Sequence, residues 1–474
     1  MKLQLHHYFF ISVGFLFLGI TSVNLFSEGM FLDGMLYADI SRNMARGLGS
    51  FWQPHLTNTL FNEFYEHPPL ALGLQSSWFL VFGESIMVER FYSLFTFIVV
   101  GYLIFLIWGQ ITTDKKSAWL PLLFWIIIPD VAWAAANNML ENTMSVFVYL
   151  SVFFYMVSLK HYRFLWIFLA GLSLSLGLLT KGFVCLYIWT LPLFIWIFTR
   201  KGSFIKIITD TVVLIIATGL PLVIVYYAIP AAQHNFQMYF TKQVLGSIES
   251  AQTVETRFAI LGAFFKNAII PIVLGAIAIA VAIRKGFQRR LLNQNRNYAL
   301  ALLLVVLSGV FPIMISMKQR NFYILTVYPL FAIALSYYLY PLFGFIRTNI
   351  NFTNKSIRSF KIATVTLVVI SILLAVLNTS RVGRDKVMIN DCKAIIGVTG
   401  EDTTIGICPD MYGIWSLHGY FSRYGNVSLD YGEDGNHQYF ISLNGCGDEF
   451  IKKNYSLVEL DTKEYKLYKR VVNN

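Results

Sequence analysis

Asp33-Gly34-Met35-Leu36-Tyr37-Ala38-Asp39-Ile40 follows almost directly on the apolar run 8–26. That run is long for the apolar core of a signal peptide and lacks a small-x-small cleavage site, so it reads as an uncleaved membrane anchor. The carboxylates after it therefore stand at a membrane boundary, where charge is costly unless it has a use. About thirty residues on comes a second acidic stretch, Glu66-His67-Pro68-Pro69-Leu70.

The rest of the chain supports a membrane setting. Of 474 residues, 56% are hydrophobic, 16% aromatic and only 13% charged, which excludes an ordinary soluble globular domain. About eleven apolar runs are long enough to span a bilayer. They lie near 8–27, 86–109, 117–136, 139–158, 163–179, 182–199, 204–229, 258–284, 298–317, 322–346 and 360–378. With the N-terminus cytoplasmic, Lys2, Lys115, Lys116, Lys160, Arg163, Arg200, Lys201, Arg289, Arg290 and Arg358 all fall on inner loops. That distribution obeys the positive-inside rule. The formal net charge of +11 then reflects topology, and no basic soluble face points to nucleic acid.

An odd number of spans places the C-terminus outside. This divides the chain into a transmembrane catalytic domain, 1–380, and an extracytoplasmic α/β domain, 381–474. The first carries outer loops at 28–85 and 230–257. In the second, strands are predicted at 403–408, 439–443, 455–460 and 464–471, and helices at 387–398 and 411–424. Tyr412, Trp415, Tyr420 and Tyr424 serve either acceptor recognition or the core of this domain. Cys392, Cys408 and Cys446 share it, so one disulfide is permitted; small buried thiols are the equal alternative.

Leu36, Ile40, Met44 and Leu48 recur every four residues, which suggests an amphipathic helix lying on the membrane and presenting Asp33. Pro68 and Pro69 stiffen the chain beside Glu66 and His67. Leu70–Phe82 is apolar but too short to span, which suggests an interfacial or re-entrant segment. Cations join these acids on the outer side: Lys181 at a span end, Lys318 and Arg320 at another, and Lys242 in the second outer loop. Snorkelling explains a lone lysine at a helix end. Several together, against the positive-inside trend, point to an anionic ligand, for which phosphate is the natural candidate.

The order of these pieces resembles the polyprenyl-phosphate-sugar glycosyltransferases of the GT-C fold. That family includes protein O-mannosyltransferases and bacterial aminoarabinose transferases. The resemblance runs through Asp33, Tyr37-Ala38-Asp39-Ile40-Ser41-Arg42, Glu66-His67-Pro68-Pro69-Leu70, Leu179-Thr180-Lys181-Gly182, Ser316-Met317-Lys318 and Tyr323-Ile324-Leu325. It implies an α-helical polytopic GT-C protein that takes a sugar from a polyprenyl-phosphate donor to a lipid, protein or glycan hydroxyl. The reaction would lie on the outer face of a bacterial inner membrane, with inversion of the anomeric centre among its implications. Asp33 would match the catalytic carboxylate, with Glu66 and His67 at the acid before the paired prolines and Glu141 at a second outer-loop acid. Lys181 and Tyr323 would lie near the lipid phosphate, and Lys242, Lys318 and Arg320 would add charge there. Glu66 and His67 are also compatible with a divalent metal ion; the other reading makes His67 a donor that orients Glu66. Two departures argue against amino-sugar transfer to lipid A: Leu36 stands where that branch has Arg, and His67 where it has Lys. A transporter or lipid flippase is the competing class, but it calls for ionisable residues near the bilayer midplane.

Overall fold

The computed structural model describes residues 4–249, 252–349, 353–379, 381–431, 437–443 and 448–471. Lys2 and Cys446 lie outside them. The chain forms two compact units. One comprises Met1–Leu25, Tyr65–Ala71 and Phe91–Asn378; the other comprises Phe26–Phe64, Leu72–Arg90 and Thr379–Asn474.

The first unit is helical, as an apolar chain must be where lipid offers its backbone no hydrogen bonds. Among the described residues nine helices are long and apolar enough to cross a membrane, from Leu5–Leu25 to Asn354–Asn378. A tenth crossing is formed if Lys115–Ile126 and Pro129–Ala136 count together, although they meet at 85°. Pro129 opens the second of these helices, where its missing N–H costs nothing, and Ile128 before it is extended. The expected span 117–136 is thus broken rather than continuous. The expected span 182–199 begins as a tight 3₁₀ segment, Phe183–Thr190, and becomes α-helical at Leu191–Thr199.

Polar groups tie the helices together. Arg163 Nε donates to Asp210 Oδ1 at 2.5 Å, and its Nη2 donates to Thr209 Oγ1 at 2.7 Å, joining Arg163–Lys181 to Phe204–Ala228. Ser371 Oγ donates to the Phe15 carbonyl at 2.6 Å, and Gly19 gives Ser371 its room. Small residues and cross-helix hydrogen bonds of this kind replace the hydrophobic drive that is weak inside lipid.

The second unit holds a five-stranded sheet of β1 (Thr404–Ile407), β2 (Ser428–Asp430), β3 (Tyr439–Leu443), β4 (Tyr455–Leu457) and β5 (Tyr465–Arg470), in the order β2-β1-β3-β5-β4. β1 pairs parallel with β2 and β3, whereas β5 runs antiparallel to β3 and β4. Helices Lys386–Thr399 and Trp415–Gly425 bury Ile389, Ile395, Leu417 and Phe421 in its core. Met30 and Met35, from the first outer loop, join the same core. Cys408 is disulfide-bonded; Cys392 and Cys185 are free thiols.

Helix Leu32–Ala45 differs from the membrane-lying helix expected there. Ten successive residues, Gly34 to Asn43, are buried, and Leu48 lies beyond the helix end. Its polar face is buried too: Arg42 is 3.2 Å from Asp39 and donates to the carbonyls of Ser422 and Arg423 at 3.0 and 2.7 Å. Arg423 in turn grips both oxygens of Glu89 at 3.2 and 3.0 Å. A helix covered on all sides belongs to a protein interior, not to a bilayer surface.

Candidate active site

In the first unit, helix Leu140–Ser158 begins after Asn138 in the left-handed region (φ 50°) and an extended Met139. Glu141 therefore falls in its first turn, where the helix dipole favours a carboxylate. Helix Arg163–Lys181 ends at Gly182, whose φ of 82° turns the chain sharply and leaves Lys181 as the last helical residue. Lys181 Nζ donates to Glu141 Oε1 at 2.5 Å, with both side chains buried.

An aromatic wall flanks the ammonium. The 3₁₀ segment Asn321–Val327 brings the rings of Phe322 and Tyr323 to 5.2 and 5.3 Å from Lys181 Nζ, within cation–π range. This segment is anchored from behind. Tyr149 and Tyr187 each donate a hydroxyl to the Thr326 carbonyl at 2.7 Å, and Tyr149 accepts from the Leu330 amide at 2.7 Å. On the other side Tyr239 Oη reaches the Lys181 carbonyl at 3.4 Å, filling the space a Cβ on Gly182 would need.

His67 is buried, and its imidazole is held well below the usual histidine range, first by burial and then by the charges of Lys181 and Lys318. It is therefore neutral at physiological pH. Glu66 beside it is half-buried. Lys318 Nζ donates to Gln243 Oε1 at 3.3 Å. Its loop is clamped by Gln319, which donates to the Arg257 and Ser316 carbonyls at 3.0 and 2.8 Å and accepts from the Ile260 amide at 2.8 Å.

The structure thus brings His67, Glu141, Lys181, Lys318 and Tyr323 into one neighbourhood. Lys242 is exposed on a π-helical turn, Tyr239–Leu245, and Arg320 is exposed on its loop. Asp33 belongs to the second unit, half-buried in the first turn of Leu32–Ala45. Sequence reading missed Phe322, Tyr239, Tyr149 and Tyr187. Their signal was slight, because aromatic residues are common throughout this chain. No group of three or more His, Cys, Asp or Glu suited to a metal ion occurs among the described residues, and one Glu141 oxygen is already taken by Lys181. The donor set fits a metal poorly, and no step below is routed through one.

Such a cluster, two ammonium groups beside a neutral imidazole at the ends of apolar helices, suits an anionic group at the membrane surface. Residues 9–245 match the model of a family described as dolichyl-phosphate-mannose-protein mannosyltransferase. The chain belongs to this family. Undecaprenyl phosphate-alpha-4-amino-4-deoxy-L-arabinose arabinosyl transferase of Wigglesworthia glossinidia brevipalpis is 27% identical over 181 residues, 37% of this chain and 31% of that protein. The enzyme of the same name from Pseudomonas savastanoi pv. phaseolicola (strain 1448A / Race 6) is 27% identical over 163 residues, 34% of this chain and 29% of that protein. The match therefore spans less than a third of either relative. The fold is similar to ArnT from Cupriavidus metallidurans bound to undecaprenyl phosphate, with a TM-score of 0.69 at 14% identity over 98% of each chain. It is also similar to the archaeal oligosaccharyltransferase AglB from Archaeoglobus fulgidus in complex with an inhibitory peptide and a dolichol-phosphate. There the TM-score is 0.51 at 12% identity, over 92% of this chain and 69% of that one. This GT-C family chain is a polytopic membrane protein with a small C-terminal sheet, as its sequence implied.

Proposed function

We propose that this protein transfers a sugar from a polyprenyl-phosphate donor to a hydroxyl acceptor at the outer face of a bacterial inner membrane, with inversion at the anomeric carbon. The observation that carries the reading is the buried Glu141–Lys181 pair beside Lys318 and neutral His67, walled by Phe322 and Tyr323, in a member of this family. The acceptor oxygen attacks the anomeric carbon. The bond from that carbon to the phosphate oxygen breaks, and polyprenyl phosphate departs with its electron pair. Asp33 takes the acceptor's proton as general base, a role worth roughly 10²–10⁴ in rate.

The leaving phosphate passes from diester to monoester and gains charge. Lys181 and Lys318 compensate that charge, most effectively in the transition state, where the charge is largest. Glu141 aims Lys181, and Tyr323 offers a hydroxyl to the same phosphate. Lys242 and Arg320, exposed near the same loops in sequence, attract the headgroup before it settles. Glu66 lies beside His67, whose neutral ring orients it.

The test uses purified protein in lipid nanodiscs and a set of labelled polyprenyl-phosphate sugars. Release of polyprenyl phosphate together with label on an envelope acceptor supports the reading. Label that crosses the bilayer still attached to its lipid would replace it with the flippase class.

A further inference from the structure

Of the four aromatic residues of the C-terminal domain that sequence leaves ambiguous, Tyr412, Tyr420 and Tyr424 belong to or pack against its core, and Trp415 is left exposed. Tyr420 is buried in the core, and Tyr424 stacks on it with centroids 6.0 Å apart. Trp415 stays 38% exposed, and Tyr431, from just after β2, is 50% exposed. Trp415 meets Phe61 edge-on at 5.4 Å, and Tyr412 meets Tyr431 at 4.5 Å. Aromatic rings left at a surface, when burial was available to their neighbours, mark a contact surface.

Their place in the fold sharpens this. Tyr412 follows the carboxyl end of β1, Tyr431 follows the carboxyl end of β2, and Trp415 opens the helix between these parallel strands. In the order β2-β1-β3 the chain leaves β1 to one side and returns to the other, so β1 ends at a switch point. Open α/β sheets bind ligands at that position. The rings are also held there. Thr59 Oγ1 donates to the Leu429 carbonyl at 2.7 Å, Asn58 N to Ser428 Oγ at 3.1 Å, and Tyr412 Oη to the Thr59 carbonyl at 3.3 Å. Carboxylates flank them: Asp410 is exposed, and Asp430 is partly exposed with His437 Nε2 3.0 Å from its Oδ2.

We infer that this aromatic surface at the strand ends is a saccharide-binding site, built to hold a glycan of the acceptor. A pyranose presents a flat C–H face, which stacks on an aromatic ring, and a rim of hydroxyls, which donate to carboxylates. Phe61, Trp415, Tyr412 and Tyr431 supply the first, and Asp410 and Asp430 the second. Those carboxylates repel a phosphorylated headgroup, and an acyl chain has no use for them. The inference rests on the transfer reading and deepens it by giving the acceptor class as saccharide-bearing.

The full-length protein in nanodiscs is titrated with a panel of neutral soluble oligosaccharides, followed by calorimetry and ligand-observed NMR. At least one is expected to bind, with Trp415→Ala and Tyr431→Ala each weakening it about tenfold, as for an aromatic anchor. Trp415→Phe should retain most of the affinity, and binding of a polyprenyl-phosphate sugar should be unchanged in all three variants. Tyr431 is half-exposed at a strand end, so its variant reports binding even if Trp415→Ala unfolds the domain. Absence of binding across the panel, unchanged affinity in the Trp415→Ala/Tyr431→Ala double variant, or loss of self-association instead of glycan binding would overturn the inference. Because affinity is read without turnover, a failed transfer assay does not mimic failure here.

Discussion

Removing Glu141 should do more damage than a single hydrogen bond would suggest. Its carboxylate is 2.5 Å from Lys181 Nζ, and the two side chains are 1% and 6% exposed. Opposite unit charges about 4 Å apart attract by about 4 kcal/mol at an effective dielectric near 20. Desolvation offsets much of that, so the pair adds little net stability. Breaking it is another matter. Glu141→Gln leaves an ammonium buried against Phe322 and Tyr323, and a stranded buried charge costs about 3–5 kcal/mol. Lys181→Met takes the ammonium away from a buried carboxylate, with a similar cost. The double variant strands neither, so it should be less destabilised than the sum, with a coupling of about 2–3 kcal/mol. Unfolding free energies from detergent titration measure this cycle, and transfer activity is followed in parallel. All three variants should lose transfer, the double variant included, because the phosphate has lost Lys181. Additivity within about 0.5 kcal/mol, or full turnover in the double variant, would refute the reasoning.

Gly182→Ala should destabilise by about 2 kcal/mol or more, since φ is 82° and a Cβ would collide with Tyr239 Oη. Adding Tyr239→Phe should restore part of the loss in thermal unfolding. Asp33→Asn should leave the protein folded and membrane-inserted while transfer falls by about 10² or more; near-normal turnover with a labelled donor would remove it as the base. Burial pushes the Asp39 carboxyl up to about 7 against the pull of Arg42 and Arg423. The folded state then holds a proton that the unfolded state sheds near 4, so Asp39 costs stability as pH rises from about 4 to 7. Asp39→Asn should flatten that slope. His67 acts oppositely: its folded value is depressed, so stability falls as pH drops below about 6.5, and His67→Gln should remove this in unfolding measured against pH. Transfer should survive chelation by EDTA, because Lys181 and Lys318 supply the cationic charge; complete loss restored by a divalent ion would place a metal at Glu66 and His67.

The membrane spans were legible because lipid imposes one rule on every long apolar run. Nine of the eleven expected runs are, among the described residues, helices long enough to cross, and the two that deviate do so at Pro129 and after Gly182. Helix Leu32–Ala45 was misjudged because a four-residue stripe fits a membrane surface and a protein interior equally well. The burial of Asp39 and Arg42, which decides between them, depends on Ser422 and Arg423, some 380 positions away. β2 escaped notice because three residues, Ser428–Asp430, carry no period. At the site, Lys181 and Glu141 each stood out as ionisable residues near span ends, but their pairing crosses 40 positions. The tyrosines that fix Thr326 looked like ordinary span residues, since a hydroxyl anchor and an apolar ring are the same letter.

The most direct measurement is release of polyprenyl phosphate by the purified chain, in nanodiscs, from labelled polyprenyl-phosphate sugars with envelope extracts as acceptors. At least one donor should be consumed by the native protein, with label on a hydroxyl of the acceptor and no such release by Lys181→Ala. Equal release by native protein and Lys181→Ala, or no release from any donor, would contradict the account.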